Sequence, residues 1–290
     1  MVVLSTYSEG TYNDGVYNIE GFNPNTVGLV LDGQGQYLGR AEVSSSAFGS
    51  YNEGTYSDGI YNFPQGLGIG NTWTMGFWAK PKSNKEHMTF FAMGGKVGEN
   101  AVQIFSTPIS TESTIHGKRP SELRVVIKDS DGTTIRHSGW PDWFQTDVWT
   151  HTFLTWNGVD LTAAVSGIAT PTGVSFVNVS GTMGDKDGRR VFYGSAVAGQ
   201  FATFSGILGH FGMWDEILDP LEIGTVVSGG FDIDLTSVSG AYNSEANLQH
   251  YWKPGEDLSN IGKDFTTSGT ALDLTKQRNI TTSNVTFDSP

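Results

Sequence analysis

Asp232-Ile233-Asp234 is the one stretch of this sequence in which two carboxylates alternate in a strand-like context. Alternate residues of a strand share a face. Glycoside hydrolysis needs two carboxyl groups about 5 to 9.5 Å apart, so catalysis is sought here first. No third carboxylate follows, because Thr236 holds the next position on that face, and the Glu-x-Asp-x-x-Glu triplet of glucanases is absent. The six histidines, His87, His116, His137, His151, His210 and His250, show no H-x-x-x-H or other metal-ligand spacing. Neither a Gly-x-Ser-x-Gly nucleophile elbow nor a phosphate-cradling glycine motif occurs. With no cysteine, a thiolate metal site, a cysteine nucleophile and a disulfide framework are all excluded. These residue types speak for a protein that binds or builds and against an enzyme.

Binding chemistry has better candidates. A sugar-stacking platform needs aromatic rings outside the core. Trp140-Pro141-Asp142-Trp143-Phe144, interrupted by proline and so expected outside a regular strand, offers Trp140 and Trp143 as the best loop candidates for that role, although packing is the more ordinary reading of both. Asp129-Ser130-Asp131-Gly132 and Asp185-Lys186-Asp187-Gly188 place carboxylate pairs beside glycine. Both are too short for an EF-hand loop and read first as hairpin turns. Tyrosine recurs every five positions in two copies of one motif, as Tyr7, Tyr12 and Tyr17 and again as Tyr51, Tyr56 and Tyr61, separated by Glu-Gly and Asp-Gly pairs that favour tight turns. Two copies are too few for a solenoid. They predict a paired element, either edge hairpins or a tyrosine-rich contact surface, since tyrosine supplies contact area at low entropic cost.

The elements that must position these residues are strands. The chain has 290 residues, 37% hydrophobic and only 16% charged, which sets it apart from disordered sequences. Its 38 glycines are scattered beside Asn, Asp and Ser, as many tight turns require. Alternating or short apolar runs predict strands near 27–31, 72–79, 88–93, 101–105, 122–128, 133–137, 150–156, 161–165, 191–194, 206–214 and 248–252. One helix is expected at Asp219-Pro220-Leu221-Glu222, about two turns long, with an N-cap acceptor, proline at the first helical position and Glu three residues after the cap. The formal net charge of -13 disfavours nucleic acid and anionic membranes. The short basic clusters at Lys80 to Lys85, Lys118 with Arg119, and Arg189 with Arg190 read as solvated loop charge. No membrane-length apolar run and no charged, apolar leader is present, so neither membrane insertion nor Sec export is expected. The Asn-x-Ser/Thr sites at Asn178, Asn279 and Asn284 are taken as chance matches.

Four fragments in order resemble the laminin-G-like branch of the concanavalin A-like sandwiches, over roughly residues 26–255. These are Val30-Leu31-Asp32-Gly33 through Leu38, Trp73-Thr74-Met75-Gly76-Phe77-Trp78-Ala79-Lys80-Pro81, the pair Trp149-Thr150-His151 and Thr155-Trp156-Asn157-Gly158, and Gly206 to Asp215 with Leu221-Glu222-Ile223. The resemblance implies an all-β, antiparallel jelly-roll β-sandwich whose matched residues Trp73, Trp78, Trp149, Trp156 and Trp214 are core. It also implies Ca²⁺ at the sandwich rim as the one ligand to consider, with Asp32, Asp129, Asp131, Asp185 and Asp187 as candidate ligands. No motif requires a cofactor. His151 and His210, on strands beside Trp and Phe, are expected to be structural. The stretch Asn247 to Asp257, with Leu272-Asp273-Leu274-Thr275 and Phe287-Asp288-Ser289-Pro290, resembles the tails of laminin-G-like virion proteins of tailed phages.

The expected organisation is a Tyr/Gly-rich element over 1–25, the sandwich over 26–255 with the second repeat copy inserted at about 49–62, and an extended C-terminal arm over 256–290. The expected function is a non-enzymatic virion protein of a bacteriophage, either a head decoration or a fibre subunit. It would be released by lysis, dock on a capsid or tail protein through its tyrosines, and form a homo-oligomer. The alternatives are a Ca²⁺-dependent module for host surface glycans and, last, a glycanase.

Overall fold

Leu123, Val125 and Ile127 are buried while Glu122, Arg124, Val126 and Lys128 between them are not, and this two-residue period organises the molecule. The computed structural model describes residues 12–13, 16–17, 28–32, 37–40, 55–57, 60–62, 70–82, 87–94, 101–108, 121–129, 131–165, 168–169, 174–179, 181, 183, 190–195, 202–268, 271–277 and 284–286. In chain order the strands begin with β1 (Tyr12–Asn13), β2 (Val16–Tyr17), β3 (Gly28–Asp32), β4 (Tyr37–Arg40), β5 (Thr55–Ser57), β6 (Ile60–Asn62) and β7 (Trp73–Pro81). There follow β8 (Met88–Gly94), β9 (Val102–Pro108), β10 (Ser121–Lys128), β11 (Thr134–Phe144), β12 (Thr150–Trp156), β13 (Leu161–Val165) and β14 (Ile168–Ala169). The set ends with β15 (Val174–Asn178), β16 (Arg190–Tyr193), β17 (Ala202–Thr203), β18 (Ser205–Trp214), β19 (Leu248–Trp252), β20 (Thr275–Gln277) and β21 (Val285–Thr286).

Two sheets carry the sandwich. The first runs β15-β11-β10-β9-β8-β16-β4-β20, with β17 parallel to β8. The second runs β14-β13-β12-β7-β18-β3-β21, with β19 against β18. Every other pairing is antiparallel, so the chain is an all-β antiparallel sandwich of the jelly-roll kind. Between the sheets lies one core containing Trp73, Phe77, Phe90, Phe91, Phe144, Trp156, Phe211 and Trp252. Each such side chain contributes about 1.5 to 3 kcal/mol by leaving water, and no disulfide assists them. Lys80 and Arg190, expected in loops, stand in β7 and β16.

The predicted helix is α1 (Pro220–Gly229), somewhat longer than two turns. Asp219 Oδ1 accepts from the N–H groups of Leu221 (2.7 Å) and Glu222 (2.9 Å), and Glu222 Oε2 accepts from Asp219 N–H (3.1 Å). This reciprocal pair satisfies helix N–H groups that have no partner within the helix. Glu222 is also buried, and its Oε1 accepts from Asn243 N–H and Ser244 Oγ, which ties the helix to the following loop. Val226, Ile233, Leu235 and Tyr242 then form a second core with Phe153 and Trp214 on the outer side of the second sheet. That face of the sandwich is therefore covered.

Residues 256–290, expected as an arm beyond the sandwich, are built into it over their described length. β20 adds to β4 at the edge of the first sheet, and β21 adds to β3 at the edge of the second. Ile261 and Leu274 enter the main core. Asp264 anchors the segment: its fully buried carboxylate contacts His250 Nδ1 at 2.7 Å and accepts from the N–H groups of Tyr251, Thr266 and Leu272. β20 and β21, three and two residues long, become the terminal strands there, and very short edge strands offer little for other chains to pair with.

Both copies of the repeat form two-stranded hairpins. In one, Tyr12 faces Tyr17 and Asn13 faces Val16; in the other, Tyr56 faces Tyr61 and Ser57 faces Ile60. The registers are equivalent, and each leaves a two-residue Asp-Gly connection. This is the geometry that Asp-Gly favours.

Candidate functional site

The outer face of the first sheet carries a cluster of side chains suited to binding. β10 supplies Glu122 and Arg124 on the face opposite Leu123 and Val125. Cross-strand register sets Thr107 beside Glu122, Gly139 beside Arg124 and His137 beside Val126, all on that face. Arg124 Nη2 lies 2.8 Å from Glu122 Oε2, which also accepts from Thr107 Oγ1 at 3.2 Å. Arg124 Nη1 stands 3.4 Å from His137 Nε2. Gly139 makes this crossing feasible, because a Cβ there would lie 2.3 Å from Glu122 Oε1 and 3.0 Å from Arg124 Cδ.

An aromatic ring completes the cluster. The pairing of β11 with β15 steps from His137 opposite Val177 to Ser138 opposite Ser175, leaving Phe176 as the extra residue of a bulge. Bulges re-aim side chains, and here the Phe176 ring stays 47% exposed. The Arg124 guanidinium sits 4.1 Å from its centroid and the His137 ring 4.8 Å away. Cation–π contact and the Glu122 ion pair together hold Arg124 in place. Burial, then the neighbouring Arg124 charge, lowers the pKa of His137 against an opposing pull from Glu122, so at neutral pH the imidazole is uncharged. The arrangement offers fixed donors, a fixed carboxylate acceptor and an exposed aromatic face, which is a chemistry suited to binding.

The residues singled out in the sequence fare differently. Trp140 and Trp143 are only 3% and 6% exposed and belong to the main core, which corrects their reading as a stacking platform. The stretch is part of β11 and not a loop. Between the pairs Leu123–Trp140 and Ser121–Phe144, β11 spends two more residues than β10, and Asp142 takes a positive φ of 54° there. That bulge leaves Pro141 and Asp142 outside and turns Trp143 inward, where its Nε1 donates to Thr152 Oγ1 of the opposite sheet at 2.8 Å. Trp73, Trp78, Trp156 and Trp214 are buried as expected, while Trp149 is partly exposed. Asp232 and Asp234 lie in turns after α1, not on a strand, and Asp234 Oδ1 accepts from Thr236 N–H and Oγ1.

At the expected rim site, Asp129 Oδ1 accepts from the N–H groups of Asp131 (3.0 Å) and Thr133 (2.8 Å), and Gly132 closes the turn at φ 82°. This is the turn chemistry expected of Asp-x-Asp-Gly, and it occupies one of the oxygens that an ion would need. Among the described residues no three His, Cys, Asp or Glu are grouped to hold a metal ion. Asp32 ends β3 opposite Ser205, whereas Asp185 and Asp187 lie outside the described residues. Of the tyrosines, Tyr12, Tyr17, Tyr56 and Tyr61 stand in the hairpins, and Tyr7 and Tyr51 lie outside the described residues.

His151 and His210 are structural in placement, each buried and each stacked, on Trp78 (4.2 Å) and Phe231 (4.4 Å) respectively. His210 Nδ1 meets Tyr251 Oη at 3.2 Å, but among the described residues His151 Nδ1 and His210 Nε2 have no hydrogen-bond partner. Both rings line one small cavity between the second sheet and the α1 layer, with room for about one water molecule. Burial holds the His151 pKa down to about 3 and pushes that of His210 well below its usual value.

Phe176, Arg124, Glu122 and His137 were not anticipated as a site. The alternation Glu122-Leu123-Arg124-Val125 signalled that two charges share an outward face, but nothing local tied them to Phe176.

The fold is an antiparallel jelly-roll β-sandwich. No protein-family model matches the chain, and no curated protein matches it. Among solved structures it is similar to the native heptameric SAP-like pentraxin of Limulus polyphemus, with 16% identity, a TM-score of 0.49 and coverage of 77% of this chain and 87% of that one. A carbohydrate-binding protein of Bacteroides ovatus shows 14% identity and a TM-score of 0.48, covering 87% of this chain and 59% of that one. The CBM40 module of the IT-sialidase of Ruminococcus gnavus, bound to alpha2,3 sialyllactose, shows 12% identity and a TM-score of 0.45, with 69% and 96% covered. Likeness at this level is one of general architecture.

Proposed function

We propose that this chain is a non-catalytic glycan-binding module, displayed for attachment to a host surface, and that the outer face of its first sheet holds the sugar. The observation that carries the reading is the half-exposed Phe176 ring fixed beside the ion-paired Arg124 and Glu122. Sugars present an apolar C–H face and polar edges, which such a ring and such a donor–acceptor pair complement. A glycan array run with and without EDTA tests it. Retention of at least one oligosaccharide is expected, falling by about tenfold or more in Phe176→Ser, a loss of about 1.4 kcal/mol, with an unchanged circular-dichroism melt. No retention under either condition refutes the reading. The chelator arm decides whether Ca²⁺ takes part, as proposed for the rim aspartates.

A second reading, that the chain is a subunit of a tailed-phage virion, draws on the two hairpins. Their equivalent registers set Tyr12 against Tyr17 and Tyr56 against Tyr61, a duplicated element outside both large sheets. The resemblance of the C-terminal stretch to virion tails points the same way. With β20 and β21 taken up by the sandwich edges, docking on a capsid or tail protein falls to the hairpins. Mass spectrometry of purified particles should find the chain at a fixed copy ratio, and its absence from particles made by a cell that encodes it refutes this reading.

A further inference from the structure

Resting on the glycan-binding reading, we infer that the Arg124–Glu122 site selects neutral sugars bearing vicinal hydroxyls and rejects sugars bearing a carboxylate. An arginine on a binding face ordinarily suggests an anionic ligand, because its fork matches a carboxylate bidentately. Here both terminal nitrogens are engaged, and Nε is buried without a partner among the described residues. Glu122 Oε2 sits 2.8 Å from Nη2, and Nη1 faces His137 Nε2 at 3.4 Å. An incoming carboxylate must displace Glu122 or lie against its like charge, and juxtaposed like charges cost affinity.

A neutral diol meets no such conflict. Glu122 Oε1 has no protein hydrogen-bond partner among the described residues and packs against Gly139, where a larger residue would collide with it, while 15% of the Glu122 side chain stays open to solvent. One hydroxyl can donate to this oxygen while its neighbour accepts from the guanidinium, so the ion pair is read as one donor and one acceptor side by side. The sugar ring then rests on the exposed side of Phe176, beside the guanidinium. Among the described residues of the cluster charge is balanced, with one carboxylate, one guanidinium and an uncharged His137, while the whole chain carries a formal -13. Both the local pair and the global field therefore act against anionic glycans.

The test is an array of matched oligosaccharides, neutral hexose chains beside the same chains ending in a uronic acid or a sialic acid, read with wild type, Glu122→Gln and Arg124→Met. Wild type is expected to retain neutral chains about tenfold or more above their acidic counterparts. Glu122→Gln keeps the shape and removes the charge, so it should narrow or invert that ratio, while Arg124→Met should weaken both classes. Wild-type preference for acidic chains, or a ratio unmoved in Glu122→Gln, overturns the inference and leaves the glycan-binding reading standing. Absence of any retention overturns both. Sedimentation at rising concentration covers the remaining occupant: self-association that is lost in Phe176→Ser would show a second copy on this face and likewise overturn the inference.

Discussion

Lowering the pH from 7.5 to 5 protonates His151 in the unfolded chain and leaves it neutral in the folded one. Its ordinary pKa is 6.5, and burial holds the folded value at about 3. A depressed folded-state histidine binds fewer protons than its unfolded counterpart between those two values, so stability is fully present above pH 6.5 and is lost progressively as pH falls towards 3. At pH 5 the unfolded state gains about 2 kcal/mol relative to pH 7.5, the free energy of binding a proton 1.5 pH units below an ordinary pKa. That figure is insensitive to the folded value as long as the latter stays below about 4.5. His210 is shifted in the same direction by burial first and then by the charge of Lys253, and adds to the effect. With a urea m-value of about 3 kcal/mol/M, the midpoint should drop by about 0.7 M from His151 alone. His151→Phe, which can extend into the adjoining cavity beside Trp78, should lose this part of the pH dependence, and His151→Gln should do the same with less added bulk. Urea titrations at both pH values compare the variants, and NMR of the imidazole protons reads the ionisation directly. Trp78 stacks on His151 at 4.2 Å, and a cation over an indole face gains up to about 2 kcal/mol when desolvated. Titration of His151 near pH 6.5, with parallel wild-type and His151→Phe curves, would show that this contact offsets burial and would refute the reasoning.

Asp264→Asn should destabilise the fold by about 3 kcal/mol, because an amide nitrogen would replace one acceptor among the N–H groups of Tyr251, Thr266 and Leu272 and the His250 ring. A fall in Tm of roughly 6 °C or more is expected in calorimetry. Arg136 is 3% exposed, bonds Ser138 Oγ at 2.8 Å and leaves Nη1 without a partner among the described residues, so Arg136→Met should hold or raise the Tm. A drop of several degrees would count against that account. Trp143→Phe should cost about 1 to 2 kcal/mol through the lost bond to Thr152 while leaving glycan retention unchanged, which separates a core role from a stacking role.

Features carried by neighbours in sequence were legible in advance. Alternation along Glu122 to Lys128 marks both a strand and its buried face, since side chains two apart point the same way. Asp219, Pro220 and Glu222 announce the start of α1 because capping is settled within four residues. The Asp-Gly pairs likewise set the two hairpin registers. The candidate site was not legible, because its members come from β9, β10, β11 and β15 and meet only through cross-strand register.

Sequence by itself thus determined that the chain is a β-sandwich lacking cysteine chemistry, with one capped helix and a duplicated tyrosine hairpin, all properties of composition and short-range pattern. Tertiary structure alone decided which aromatics are available to a ligand. Trp140 and Trp143 looked exposed because a proline stands between them, yet a two-residue bulge turns Trp143 across the sandwich to Thr152. Phe176 lies outside every strand expected from the sequence, yet a bulge in β15 sets it beside Arg124. A one-residue change of register exchanges the faces of a strand, and register depends on partners that the local sequence does not contain.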